Sequence, residues 1–196
     1  MSDIPADRND ARFASVSGQR DLRARIGWIC HALRVAAVLW IAWVLVVSFI
    51  VWNDKAHILH SYELLFSANL GDVSAARYAA AVAAVIVSVA AAAAVVVCLW
   101  RLAGTYLAGR VFTVDAALWL RRTGVTGMIA VIVDILARAV VASILVGQFV
   151  PIPSRGYYYY ALPQDLLHAI FAIFVFALAY IFKAAAEMAD DQAQIV

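Results

Sequence analysis

The chain has 196 residues, of which 66% are hydrophobic and 14% charged, with a formal net charge of +2. Ordinary soluble domains are about 45–50% apolar and about 25% charged, so a water-soluble fold would expose apolar surface it has no means of covering. The composition points to a bilayer, and nothing in it calls for a direct nucleic-acid partner.

In chain order, residues 1 to about 19 contain Pro5, Gly18 and a mixed group of acids and arginines with little apolar periodicity, and read as a largely disordered tail. Arg20, Arg23 and Arg25 follow, completing a cytoplasmic N-terminal unit, residues 1–25. Such a basic juxtamembrane cluster attracts anionic lipid head groups at about 1 kcal/mol per residue near the surface. Four apolar runs come next, at about 35–52, 78–100, 124–150 and 166–182. Crossing a bilayer core takes roughly 20 helical residues, and a helix satisfies its own backbone hydrogen bonds there. Residues 26–183 are therefore expected to form an all-α, polytopic domain, four transmembrane helices in a bundle, followed by an acidic tail at 184–196. The first run ends in Val51-Trp52-Asn53-Asp54-Lys55 without a small-x-small cleavage site, so it reads as an uncleaved signal anchor. Cys30 and Cys98 lie near run ends and read as two small buried hydrophobes, with lipidation or redox roles as the alternative; no structural disulfide is expected.

The loop at 53–76 carries His57, His60 and Glu63 and reads as a short helix lying on the membrane, capped or ended by Ser61 or Asn69. The second run repeats small residues every four positions, Ala80, Ala84, Ser88 and Ala92, and the third carries Ala139, Ser143 and Gly147 at the same spacing. Small residues at that period let helix backbones approach closely in lipid, which makes both stripes packing faces, for each other or for a partner subunit. Between these runs Thr113 is placed to cap a helix whose positively polarised first turn holds Asp115 and which continues through Leu120, Arg121 and Arg122 into the third span. The start of that helix is expected along the cytoplasmic face. After Pro151-Ile152-Pro153 and Arg155 come Tyr157, Tyr158, Tyr159 and Tyr160, an expected outer-leaflet aromatic belt, or else a ligand-binding group.

Orientation follows from the cations. Arg8, Arg12, Arg20, Arg23, Arg25, Arg34, Arg101, Arg110, Arg121, Arg122 and Lys183 fall on one side of the four spans, eleven in all, against Lys55, Arg77 and Arg155 on the other. Basic residues are retained on the cytoplasmic side, so both termini are expected there, in the inner membrane of a bacterium. Trp28, Trp52, Trp100 and Trp119 sit at or near the expected interfaces.

Asp134 and Arg138 fall near the middle of the third run. Each charge there costs at least about 2.5–3.5 kcal/mol on insertion scales. At i,i+4 the acid precedes the base on one face, the favourable order for an ion pair within a helix. The pair reads as a self-neutralising polar plug facing the bundle interior, or as a proton-coupled or ligand-binding site in a polar cavity. His57, His60, Glu63 and His168 offer nitrogen and oxygen donors toward the outer leaflet, but nothing fixes the register of the first three relative to His168, and no metal site is expected. His31 and His168 lie toward opposite leaflets, too far apart to share a haem iron. No phosphate-binding loop, nucleophile elbow or His-Glu-x-x-His motif occurs, so neither enzymatic activity nor a cofactor is expected.

The stretch Leu107-Ala108-Gly109-Arg110-Val111-Phe112-Thr113, followed by Leu120-Arg121-Arg122-Thr123-Gly124, resembles the Gly-x-x-Phe-Thr … Leu-Arg-Arg-x-Gly pattern of a bacterial four-span membrane family catalogued as domain of unknown function 2975. Phe182-Lys183-Ala184 and the acidic Glu187-Met188-Ala189-Asp190-Asp191-Gln192 resemble that family's end, whereas Ala193-Gln194-Ile195-Val196 departs from its usual Thr-Ile or Thr-Val finish. The resemblance covers roughly residues 30 to 196. It implies the four-span fold and a membrane location, brings no agreed biochemical activity, and points to a regulatory partner, since members often accompany small helix-turn-helix regulators. The resulting expectation is a non-enzymatic accessory, sensor or regulatory protein working through a protein partner or a homo-oligomer; a small transporter or channel subunit centred on Asp134 and Arg138, and a metal or redox protein, are the alternatives.

Overall fold

The computed structural model describes residues 7–71, 73–109, 113–149, 151–153, 159–160 and 162–194, with side chains described only within 27–188. Among these residues are five helices and no strand: α1 (Asp7–Asn53), α2 (Lys55–Phe66), α3 (Ala75–Leu107), α4 (Val114–Val146) and α5 (Pro163–Gln194). Four contain stretches long and apolar enough to cross a membrane, Gly27–Asn53, Ala75–Leu107, Val114–Val146 and Pro163–Met188. All four expected spans are present and each begins earlier than expected, because the flanking residues add few breakers and a helix costs little to continue once nucleated; the third ends at Val146 instead of about 150, where Gly147 turns left-handed.

The packing runs from α1 to α3, from α3 to α4 and from α4 to α5, so neighbours in the row are antiparallel where their connection is short. Two hydrophobic clusters lie at opposite ends of the bundle. One joins Ile58 of α2, Leu70 and Val73 of the following loop, Ala81 of α3, and Val141 and Leu145 of α4. The other joins Leu102 of α3, Leu120 of α4 and Ala179 of α5.

Local chemistry sets the helix ends. Thr113 caps α4 by accepting from the Ala116 amide at 3.3 Å, with Asp115 in the first turn, as its position in the sequence predicts. At the other end of α4, Gly147 takes φ +76°, and Arg77 of α3 donates from Nη2 to the carbonyls of Ile144 (2.7 Å) and Leu145 (3.1 Å). A cation there satisfies orphan carbonyls and complements the negative helix terminus. Arg77 is thus a cap between helices as well as a basic residue of the loop end.

Several expectations are corrected. α1 is helical from Asp7, inside the segment read as a disordered tail; no proline falls within it after Pro5, and Gly18 is carried inside the helix, where glycine costs only about 1 kcal/mol relative to alanine. The side chains of Arg20, Arg23 and Arg25 lie outside the described residues, as do Tyr157, Tyr158, Arg155 and the Arg110-Val111-Phe112 part of the family motif. α2 is capped by Asp54, which accepts from the His57 amide at 3.0 Å, and not by Ser61 or Asn69; a carboxylate directly before the helix reaches the free amides that a mid-helix serine cannot. α2 is present as expected, and it turns Ile58 and Phe66 into the protein so that it packs on one end of the bundle. In the small-residue stripe of α3, Ala84 and Ser88 face α4, but Ala80 is exposed and Ala81 is the buried residue. The tightest crossing involves a different pair: a Cβ on Gly124 of α4 would meet the Phe176 amide nitrogen of α5 at 2.8 Å and the Ala172 carbonyl oxygen at 3.0 Å. Ala172, Ala179 and Ala186, seven residues apart, form the buried line along α5.

Candidate functional site: an arginine between two carboxylates

Asp134 and Arg138 sit one turn apart on α4, with Arg138 Nη1 2.8 Å from Asp134 Oδ2. The expected ion pair is present, but it is half of the arrangement. Arg138 Nη2 donates to Asp165 Oδ2 in the first turn of α5 and lies 3.4 Å from the Tyr160 carbonyl oxygen. Ser88 of α3 donates to the other oxygen of Asp134, at 2.6 Å. Arg138 is therefore held by carboxylates of two helices, and Asp134 by groups of two helices, so that α3, α4 and α5 are laced together at one level.

Each residue has a local reason to be there. Asp165 is the third residue of α5, after Pro163 at the first helical position, which proline favours because its missing amide would be unpaired anyway. Its Oδ2 also accepts from the Leu162 amide at 2.8 Å, the reciprocal half of a capping box, and its charge lies at the positive end of the helix. The carboxylate is 9% exposed and Arg138 19%, whereas the side chain of Asp134 is 44% exposed. One arginine between two carboxylates leaves a formal charge of −1 on the cluster. Counting back from Val146, Asp134 lies ~18 Å along α4, near the middle of a bilayer core about 30 Å thick. Arg138 Nε is buried without a hydrogen-bond partner among the described residues.

Above this cluster, toward α2, lies a group of aromatic rings. The hydroxyls of Tyr62 and Tyr159 are 2.6 Å apart, Phe66 and Tyr159 pack edge to face at 5.5 Å, Tyr159 and Tyr160 do so at 5.1 Å, and the Tyr160 hydroxyl donates to the Pro151 carbonyl. Burial pushes the phenols of Tyr62 and Tyr159 above the usual value of 10.0, and the neighbouring tyrosine raises Tyr159 further. Tyr159 and Tyr160 do not form an outward-facing belt: both hydroxyls find partners inside, which is where a phenol that must leave water gains most.

The histidines are not gathered. His60 Nδ1 lies 3.9 Å from Glu63 Oε2, and Glu63 Oε1 accepts from the Leu70 amide at 2.9 Å, which makes it a loop anchor. His57 and His168 are exposed, on α2 and α5 respectively, and among the described residues no group of three His, Cys, Asp or Glu side chains could hold a metal ion. Cys30 is buried and Cys98 half-buried, both as free thiols. Asp165 is the member of the site that sequence reasoning misses, although an acid two residues after a proline at a helix start is a usable signal for it; Ser88 and Tyr160 are read there only as part of a packing stripe and of a tyrosine run, without their link to Asp134 and Arg138.

No curated protein and no solved structure matches the chain. The family described as protein of unknown function (DUF2975) matches residues 66–196, which include Ser88, Asp134, Arg138, Tyr159, Tyr160 and Asp165 but not Tyr62, and the chain belongs to that family.

Proposed function

We propose that this chain is a non-enzymatic accessory or regulatory protein of a bacterial inner membrane, with both termini cytoplasmic, and that it works through a protein partner or a second copy covering the exposed face of Asp134. The observation that carries this is the 44% exposure of a carboxylate side chain set about midway along a membrane-crossing helix. Arg138 and Ser88 occupy part of it. The remaining face would meet hydrocarbon at a cost of the order of 2.5–3.5 kcal/mol, and a polar or small-residue helix laid along α4 removes that cost. A photo-crosslinking residue in place of Ala130, one turn before Asp134, tests it in native membranes. One discrete protein adduct, weakened by Asp134→Asn, is expected; lipid adducts alone would overturn the reading. For orientation, cysteines placed at the exposed positions 57 and 114 should differ, with an impermeant reagent labelling 57 only in intact cells.

A second reading, a small transporter or channel subunit, is favoured by the continuous run of hydrogen-bonding groups from Ser88 through Asp134 and Arg138 to Asp165. Dissipation of a pH gradient by proteoliposomes containing the protein, lost on Asp134→Asn, would select it over the first.

A further inference from the structure

At the end of the bundle opposite the tyrosines, α1 crosses α3 beside the start of α4 and leaves a cavity of about 630 Å³ lined by Arg34, Val97, Trp100, Arg101, Gly104 and others. Arg34 is seated with care. Its Nη2 donates to the Trp100 carbonyl at 3.2 Å, its guanidinium carbon stands 4.6 Å from the centre of the Trp100 ring, and a Cβ on Gly104 would come within 2.9 Å of Nη2. Those contacts fix the plane of the guanidinium but leave it short of acceptors: Nε is buried with no hydrogen-bond partner, and among the described residues no carboxylate pairs with Arg34 or with Arg101.

We infer that this cavity binds a phosphate group, held between Arg34 and Arg101. Two guanidinium forks match the geometry of phosphate oxygens and give paired, charge-assisted hydrogen bonds. Trp100, Trp119 and Val97 line the cavity beside the two arginines, a mix of amphipathic rings, apolar surface and cations that suits a membrane interface. A phospholipid head group and free inorganic phosphate both supply this chemistry; the apolar wall favours the lipid. The site lies at the bundle end opposite the tyrosines, with no residue in common with the Asp134 cluster, and stands independently of the partner proposed above.

Native mass spectrometry of the detergent-solubilised full chain tests the inference, titrating dioleoyl phosphatidylglycerol, inorganic phosphate or, as a neutral control, a dioleoyl glycerol lacking the head group. Retention of phosphatidylglycerol but not of the diacylglycerol is expected, with affinity falling about tenfold for Arg34→Gln and for Arg101→Gln. Gly104→Ala, which leaves both charges in place but pushes the Arg34 guanidinium from its seat, should lower it too, while Arg121→Gln, outside the cavity, should not. Inorganic phosphate displacing the lipid would make the head group sufficient; failure to displace it would show that the acyl chains contribute, and either result keeps the phosphate site. Equal retention of phosphatidylglycerol and diacylglycerol, or unchanged binding of both lipid and phosphate by folded Arg34→Gln and Arg101→Gln proteins, would overturn it.

Discussion

Two arginines lie within membrane-crossing helices at opposite ends of this bundle, and the structure treats them in opposite ways. Arg138 is 19% exposed and clasped by Asp134 and Asp165; Arg34 leans on a tryptophan ring and one backbone carbonyl beside an open cavity. The difference is one of role. A cation whose partners come from two helices of the same chain holds that chain together, because removing it strands carboxylates in a medium that solvates them poorly. A cation positioned by weak contacts and left without an anion holds little together and is available to something outside the chain.

The largest expected effect follows from the first half of that contrast. Arg138→Gln should lower stability in detergent by about 3–5 kcal/mol, the usual consequence of breaking a buried ion pair from one side. An i,i+4 pair alone would be repaired by adding Asp134→Asn. The structure requires more, because that double variant still leaves Asp165 charged beside a neutral glutamine; only the triple variant with Asp165→Asn should regain most of the loss. Chemical unfolding of the four proteins decides it, and full recovery in the double variant would remove Asp165 from the partnership.

Why the pair was legible in the sequence and the third member was not has a simple physical basis. Asp134 and Arg138 are neighbours by helical periodicity, which any four-residue spacing reveals. Asp165 is brought to Arg138 by the fold across 27 positions, and it sits just outside the apolar run, which begins with Leu166 and so hides the true helix start at Pro163. The four spans were legible because length and apolarity are properties of contiguous sequence. Thr113 was too, since a cap acts on the amide three residues on. The inward turn of Tyr159 toward Tyr62, 97 positions earlier, was not: an amphipathic ring suits an interface or a hydrogen-bonded core, and only the placement of α2 over the bundle end decides between them. The α4–α5 crossing at Gly124 was missed because its small residues on α5 recur every seven positions, while the visible stripes on α3 and α4 recur every four.

Glycines sharpen the comparison of the two ends. A methyl group on Gly124 would press into the backbone of α5, with the Phe176 nitrogen at 2.8 Å, whereas one on Gly104 would meet only the tip of the Arg34 side chain, at 2.9 Å. Backbone cannot give way without moving a helix; a guanidinium can rotate. Gly124→Ala should therefore cost about 1–3 kcal/mol through overpacking. Gly104→Ala should cost less than that, since the steric penalty is relieved locally and alanine is the better helix former by up to about 1 kcal/mol. Equal losses in unfolding experiments would mean that Arg34 is held as firmly as the α4–α5 crossing.

The tyrosines extend the contrast to pH. Burial raises the phenols of Tyr62 and Tyr159 above the unfolded value near 10, so the folded protein keeps protons that the unfolded chain has released. The stability this represents is intact below pH 10 and is lost as the pH rises beyond it. Tyr159→Phe, and more so the double variant with Tyr62→Phe, should flatten the decline between pH 9.5 and 11, whereas Arg34→Gln should leave its slope unchanged. A slope insensitive to both tyrosines would show that their hydroxyls are not buried together.

The smallest expected effect belongs to Arg34 itself. In detergent free of phospholipid, Arg34→Gln removes one hydrogen bond to a backbone carbonyl, worth about 1 kcal/mol net, and one cation–π contact of about 0.5–1 kcal/mol at a partly exposed site. Against these stands the relief of a buried Nε that has no acceptor, an orphan whose cost is about 1–3 kcal/mol. Opposing contributions of similar size leave a change within about 1 kcal/mol of zero, well below that for Arg138→Gln although both substitutions remove an arginine from a membrane-crossing helix. Unfolding the two variants side by side in the same detergent measures the difference directly. Comparable losses would mean that Arg34 is already neutralised within the chain, and the division between an arginine that binds the protein to itself and one that is kept for an external anion would no longer hold.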